Sequence, residues 1–355
     1  MSRNLIAFTV LLGLFSTLSQ GAEPEYVLAD WTFENGAVGT PVVQAVDQSG
    51  RGHDSISIHG SPTYVAGSGT LGAIAMNCPP GGILGSGFNA ADAPDLVLSN
   101  QFTIEAVVLA RYDSQGYRRV IVGRNGSGKS SYTLGYEPET DRFFLAVHRP
   151  GIEFAPWAAL GRDSGFHHLA ASYEDGNMKL YRDGLLVAST NTTISPDPGP
   201  MDAVSVGTIF NGGFWFNGII DRIRISNRAL NPGQFFYQPI PAAWLVQYFG
   251  TNYVDKPEAN PGSDPDNDGS ANLEEYQAGT HPLDATSGFR ASIRVAPVVS
   301  WPSVPSRAYR VLRKDSLGST NWTTVVAAFT ATNSVSRYTD LDAPGTSYYL
   351  VELLP

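Results

Sequence analysis

The chain has 355 residues, 42% of them hydrophobic, and a formal net charge of −10, so it can bury a sizeable core but carries no basic excess for nucleic acid or anionic membranes. Its single cysteine, Cys78, excludes an internal disulfide and reads as a small buried hydrophobe. With 37 Gly, 24 Pro, 17 Phe and 16 Tyr and few long helical stretches, the composition favours an all-β class.

The N-terminus reads as a secretory signal over residues 1–21. Arg3 is followed by the apolar run Leu5–Phe15, and Ser19 and Gly21 suit cleavage after Gly21. A membrane span needs about 20 apolar residues, so no transmembrane segment is expected. The mature chain then begins at Ala22, outside the cytoplasm, one positive charge poorer for the loss of Arg3.

From Tyr26 to Tyr237 short strand patterns are cut by turn signals. FTIEAVVLARY alternates, with Phe102, Ile104, Ala106 and Val108 on one face. YTLGYE and RFFLAVH flank PETD, a turn by its Pro and Asp. HHLAASY and MKLYR flank EDGN, and Asp183-Gly184 then marks a tight hairpin. Strands so spaced, with no helix between them, predict antiparallel sheets packed as a sandwich over residues 22–237.

GRNGSGKSS, from Gly123 to Ser131, matches the phosphate-cradling pattern G-x-x-x-x-G-K-[ST]. Such a loop works because a helix N-terminus follows and supplies aligned amides. Here SSYTLGYE follows, aromatic and β-rich. The stretch is expected to be a hairpin loop with Lys129 in solvent, and no nucleotide partner is expected.

ADWTFENG, VDQSGRGHD, FTIEAVV, HHLAASYEDGNMKLYRDG and GIIDRIRISNRAL occur in an order that resembles bacterial laminin-G-like, concanavalin A-like jelly-roll domains, over residues 26–236. Phe166 and Val107 or Val108 stand where that family usually has Trp. The resemblance implies a calcium where the opening strand, the D-x-S-G loop and the last strand meet. The matching positions are Asp30 or Glu34, Asp47 and Asp221; their plain alternative is turn carboxylates, Asp47 making an Asx turn.

After Tyr237 the composition changes. Residues 238–287 hold a Pro/Ala linker, a short helix pattern in AWLVQYFG, and DPDNDGSANLEE. Calcium takes six to eight oxygens, which a twelve-residue loop delivers from positions 1, 3, 5, 7, 9 and 12. Counted from Asp264, these are Asp264, Asp266, Asp268, the Ser270 carbonyl, Asn272 and Glu275, with Gly269 at the sharp turn. Four carboxylates so close would repel one another without a cation, and NLEEYQA would form the following helix, closed by Gly279. The segment resembles the calcium loops of dockerins and thrombospondin type 3 repeats, although dockerins carry two loops and only one occurs here. From residue 288 to 355 strand patterns return, as in AYRVLRK, WTTVVAAFT and SYYLVELL, predicting a small C-terminal β domain.

For catalysis, no E-x-D-x-x-E strand, sialidase repeat or G-x-S-x-G elbow occurs, and Glu105 stands alone among acids on its strand. His167 and His168 adjoin, so on a strand they face opposite sides, without the spacing of a zinc pair. Aromatic faces hold sugars, and loop aromatics are plentiful: Tyr112, Tyr117, Trp157, Phe210, Phe214, Trp215 and Phe216. In FNGGFWFNG, Trp215 is the ligand-binding candidate; the alternatives are that Phe214 and Phe216 face the core with only Trp215 outside, or that all three rings are buried. The expectation is a secreted, calcium-binding, non-catalytic protein that recognises extracellular carbohydrate or a surface protein. The alternatives are a structural or adhesive surface component and a polysaccharide hydrolase or lyase.

Overall fold

The computed structural model describes residues 24–69, 72–78, 85–112, 118–161, 165–211, 213–288 and 296–355. The expected signal at 1–21 and Tyr117 lie outside them. The described chain divides into two compact units, with the boundary between Gly288 and Phe289.

The first unit runs through β1 (Val27–Trp31), β2 (Ser55–His59), β3 (Thr63–Ala66), β4 (Ile74–Cys78), β5 (Gly87–Ala91), β6 (Gln101–Ala110), β7 (Arg119–Gly126) and β8 (Lys129–Glu137). It continues with β9 (Arg142–Arg149), β10 (Ile152–Phe154), β11 (Trp157–Ala159), β12 (His167–Glu174), β13 (Asn177–Arg182), β14 (Leu185–Asn191), β15 (Ala203–Val206) and β16 (Gly218–Ser226). Two eight-stranded antiparallel sheets result. One has the order β14-β13-β12-β6-β16-β4-β3, with β1 also on β16; the other is β10-β9-β8-β7-β15-β5-β2, with β11 on β9. The fold is an all-β, jelly-roll-like sandwich. Hairpin neighbours alternate with pairs distant in sequence, such as β6 with β16 and β7 with β15, as sandwich topology requires.

Period-2 alternation builds the core. Phe102, Ile104, Ala106 and Val108 of β6 turn inward with Tyr132 and Leu134 of β8 and Phe143, Leu145 and Val147 of β9. Trp31 is fully buried; its indole N–H donates to the His53 carbonyl at 3.0 Å, and its ring meets Phe88 edge-on at 5.4 Å. Cys78 is buried in the same core, and burial pushes its thiol up to about 12. The hairpin turns are bent by residues that tolerate positive φ: Asp141 at 53°, then Asp175 and Gly176 at 46° and 90°, then Asp183 and Gly184 at 53° and 80°.

In β16 the register shifts between Ile220 and Arg222, leaving Asp221 as the extra residue of a bulge. The bulge changes the phase of the strand, so Ile220, Ile223 and Ile225 all reach the core while Arg222 and Arg224 face outward. There Glu105, His168 and Arg224 form a buried polar cluster on the outer face of the first sheet. Arg224 Nε donates to Glu105 at 2.7 Å, His168 Nε2 lies 3.2 Å from the same carboxylate, and the Phe236 amide donates to it at 2.9 Å. The segment after β16 covers the cluster, Phe235, Phe236 and Tyr237 each packing a ring against His168.

The chain then enters α1 (Ala242–Phe249) and α2 (Asn272–Ala278), whose region holds its own apolar cluster of Ile240, Leu245, Phe249 and Ala259. Pro239 and Pro261 stand over Gly184 of the β13–β14 turn, and Gly262 faces Leu185. The expected linker is thus part of the first unit. Among the described residues no helix is long and apolar enough to cross a membrane. The second unit has a two-stranded sheet, β17 (Val298–Pro302) with β20 (Val335–Thr339), and a three-stranded sheet, β19 (Thr323–Thr330), β18 (Ala308–Lys314), β21 (Tyr348–Leu353), in that order. Trp301, Tyr309, Val311 and Ala331 form its core.

Candidate functional site

The outward-facing residues of the second sheet line a cavity of about 510 Å³. Because Leu134, Phe143, Leu145 and Val147 turn inward, Thr133, Phe144 and His148 alternate to the opposite face, and all three line the cavity. Phe214 adds a ring from the segment before β16, and Gly126, Gly128, Lys129 and Ser130 form one wall. That wall is the phosphate-loop pattern, and it is a hairpin: β7 ends at Gly126, Gly128 turns at φ 72°, and β8 begins at Lys129. No helix follows. Arg124, the second residue of the pattern, is buried in a two-pronged bond to Asp92 at 2.6 and 2.9 Å.

Phe214 is 49% exposed and held at φ 48°, a backbone conformation that bulky residues rarely adopt. Its carbonyl accepts the Val120 amide at 2.8 Å, which straps the segment to β7. Trp215 does not project as the sequence suggested. It is half-buried, its Cβ packed against Gly85, with the Arg119 guanidinium 5.2 Å from its ring. Phe216 is fully buried. The reason is the pairing to β7: Val120 bridges Trp215, which turns that ring onto the sheet and leaves Phe214 outside. Trp157 is also engaged, between Arg118 at 4.7 Å and Arg142 at 5.1 Å. At the cavity, His148 Nε2 is buried with no hydrogen-bond partner, and its Nδ1 lies 3.6 Å from Glu153. Burial lowers the His148 pKa; Glu153 opposes the shift and Arg118 adds to it.

The acidic loop has the geometry of a cation cradle. Carboxylate oxygens of Asp264, Asp266 and Asp268 lie within 4.8 Å of one another. Asn267 at φ 60° and Gly269 at φ 98° bend the loop, and amides of Asp268, Gly269 and Ser270 orient the three carboxylates. Glu275 comes in from α2, 1% exposed. Asp264 Oδ1, Asp266 Oδ2, Asn272 Oδ1 and Glu275 Oε2 are buried with no hydrogen-bond partner. Burial raises the Glu275 carboxyl, and Asp266, Asp268 and Asp264 raise it further, against the Thr280 hydroxyl. Buried oxygens of one sign without donors are costly, and a hard cation would satisfy them. Asn272 is fixed by its Nδ2, which donates to the carbonyls of Glu258 and Asn260 at 2.8 Å each.

The second expected calcium set does not assemble. Asp30 is spent on Arg222, bonded at 2.8 and 2.5 Å. Asp47 accepts the amides of Asp30, Ser49 and His53, each at 2.9 Å, so it makes the turn its plain alternative foresaw. Only Glu34 and Asp221 converge: a β-carbon on Gly72 would lie 2.1 Å from Glu34 Oε1 and 3.3 Å from Asp221 Oδ1. Burial raises the Asp221 carboxyl, the Ser68 hydroxyl and amide lower it, and Glu34 raises it again. His167 and His168 do face opposite sides, the former 2.8 Å from Asp183. The signal that could have found the cavity was the inward set of β8 and β9, which assigns Thr133, Phe144 and His148 to the other face.

A family model described as the concanavalin A-like lectin/glucanases superfamily matches residues 85–234. No curated protein sequence matches the chain. Solved structures similar to it include domain 4 of AbnA, a GH43 extracellular arabinanase from Geobacillus stearothermophilus, in complex with arabinotriose. That match has 21% identity over 59% of this chain and 95% of that one, with a TM-score of 0.43. The binding domain of Paraclostridial mosquitocidal protein 1 matches at 13% identity over 59% and 50%, TM-score 0.44. The CBM40 of a Ruminococcus gnavus IT-sialidase bound to alpha2,3 sialyllactose matches at 16% identity over 44% and 92%, TM-score 0.37.

Proposed function

We propose that this chain is a secreted, non-catalytic recognition protein that holds an extracellular saccharide in the cavity on the second sheet and uses calcium to order the loop at Asp264. The observation that carries this reading is Phe214: a large apolar ring, half exposed, kept at a strained φ beside a cavity with polar walls. Such strain persists where the surroundings impose it, and it concentrates at ligand sites. An exposed ring with a few polar groups is what a sugar's apolar face and hydroxyls need. Calcium suits the loop because Asp264, Asp266, Asp268, the Ser270 carbonyl and Glu275 supply the hard oxygens it prefers, and bound there it would offset their mutual repulsion. Glu34 and Asp221 supply only two side chains, so the reading places calcium at the acidic loop.

Two carboxylates, Glu153 and Asp197, line the cavity. Glu153 is paired with Arg118, and Asp197 Oδ1 accepts the Gly199 amide at 2.8 Å.

Titration calorimetry against a saccharide panel tests the assignment. A ligand is expected to bind at least about tenfold more weakly to Phe214→Ala, a loss of about 1.4 kcal/mol or more, with the melting temperature little changed. Binding that is indifferent to Phe214 removes the cavity from the reading, and release of reducing sugar from any panel member overturns the non-catalytic assignment. A chain that binds no saccharide but joins cells or surfaces is the adhesive alternative.

A further inference from the structure

Five charged side chains line the cavity: Arg118, Lys129, Arg149, Glu153 and Asp197. They do not cancel pairwise. Arg118 is spent on Glu153. Arg149 donates only to neutral groups, the Ser195 carbonyl at 3.0 Å and the Ser195 hydroxyl at 2.5 Å. Lys129 is exposed on the hairpin wall. Among the described residues neither Lys129 nor Arg149 has a carboxylate within ion-pair distance. Asp197 is the remaining acid, and it is turned toward the Gly199 amide. The cavity thus holds one more cation than anions, on a chain whose formal charge is −10.

The polar floor is complementary. His148 Nε2 is buried with no partner, so a hydroxyl reaching it would satisfy an otherwise orphaned nitrogen. Burial disfavours the charged imidazolium, and a neutral ring can donate or accept by tautomer. The pieces then sort by chemistry: an apolar ring at Phe214, a hydroxyl partner at His148, and cations on two walls.

We infer that the saccharide held in this cavity carries a carboxylate, received by Lys129 and Arg149, with its ring on Phe214 and a hydroxyl at His148; this rests on the cavity being a saccharide site. A uronic acid residue is a sugar that combines these groups. A sulfate ester offers similar charge from another source, and the experiment separates the two.

The probes are oligosaccharides of galacturonate, mannuronate and glucuronate, each against its neutral methyl ester, and a sulfated galactan oligosaccharide. In calorimetry at constant ionic strength, at least one acid form is expected to bind about tenfold or more tightly than its ester. Lys129→Gln and Arg149→Gln should each lower the affinity of the acid toward that of the ester, and rising salt should do the same. Equal binding of acid and ester overturns the charge assignment while leaving the saccharide site standing. Tighter binding of the sulfated oligosaccharide overturns the carboxylate. If no acid or ester binds, the inference falls. If neutral sugars bind and Phe214→Ala weakens them, the broader reading survives without it.

Discussion

Phe214 and Trp215 differ by one position and by their roles. The segment FNGGFWFNG announces three rings, and nothing in their order tells which one faces water. The choice is made by a backbone bond to Val120, a residue about a hundred positions earlier, which no local pattern contains. The acidic loop is the opposite case, because Asp264, Asp266 and Asp268, which the structure brings together, lie within five residues of one another. A sharp expectation follows there. Calorimetric titration of calcium into chelated protein should show binding at the loop, weakened at least about tenfold in Asp268→Ala and in Glu275→Gln. Glu275→Gln should behave differently with the ion removed. It takes a buried charge away from three like charges, so in chelator its melting temperature should equal or exceed that of the parent. A variant less stable under both conditions would show that Glu275 serves packing alone.

At the level of strands, alternation and turn chemistry carried most of the information. The inward faces of β6, β8 and β9 and the hairpins at Asp141, Asp175 and Asp183 follow local rules, and they appear where those rules put them. The polar cluster on the outer face of the first sheet was not legible. Glu105 is isolated among acids on its own strand, yet its partners come from β12, from β16 and from the Phe236 amide. The bulge at Asp221 hid the rest, since it changes which face Arg222 and Arg224 occupy. Burial raises the Glu105 carboxyl, but Arg224, His168 and the Phe236 amide outweigh it, so the net shift is downward. A depressed carboxyl stabilises the fold fully above its unfolded value near 4.5, and that stabilisation is lost as the pH falls through the lower folded value. Acid titration followed by circular dichroism should therefore show stability falling below about pH 4.5. Glu105→Ala should flatten that part of the curve and cost about 3–5 kcal/mol at neutral pH, because it leaves Arg224 buried and unpaired. An acid limb unchanged in the variant would assign the loss to other carboxylates.

Across the whole molecule, two units with separate cores imply two folding events. Scanning calorimetry should resolve two transitions, and a chain truncated before Phe289 should keep the larger one. The acidic loop groups with the sandwich, through Pro239 and Pro261 over Gly184. Calcium should therefore raise the larger transition and leave the smaller one in place, by about 2.7 kcal/mol when free ion exceeds its dissociation constant a hundredfold. Movement of both transitions together would mean that the units fold as one.

Cys78 gives this architecture an internal reporter. Its sulfur is sealed between the sheets and its thiol pushed up to about 12, so no thiolate meets solvent while the sandwich is closed. An alkylating reagent can therefore modify the chain only during moments when the layers part. The rate of its capture is a clock for how often that happens, and with just one thiol to react, the clock has a single hand.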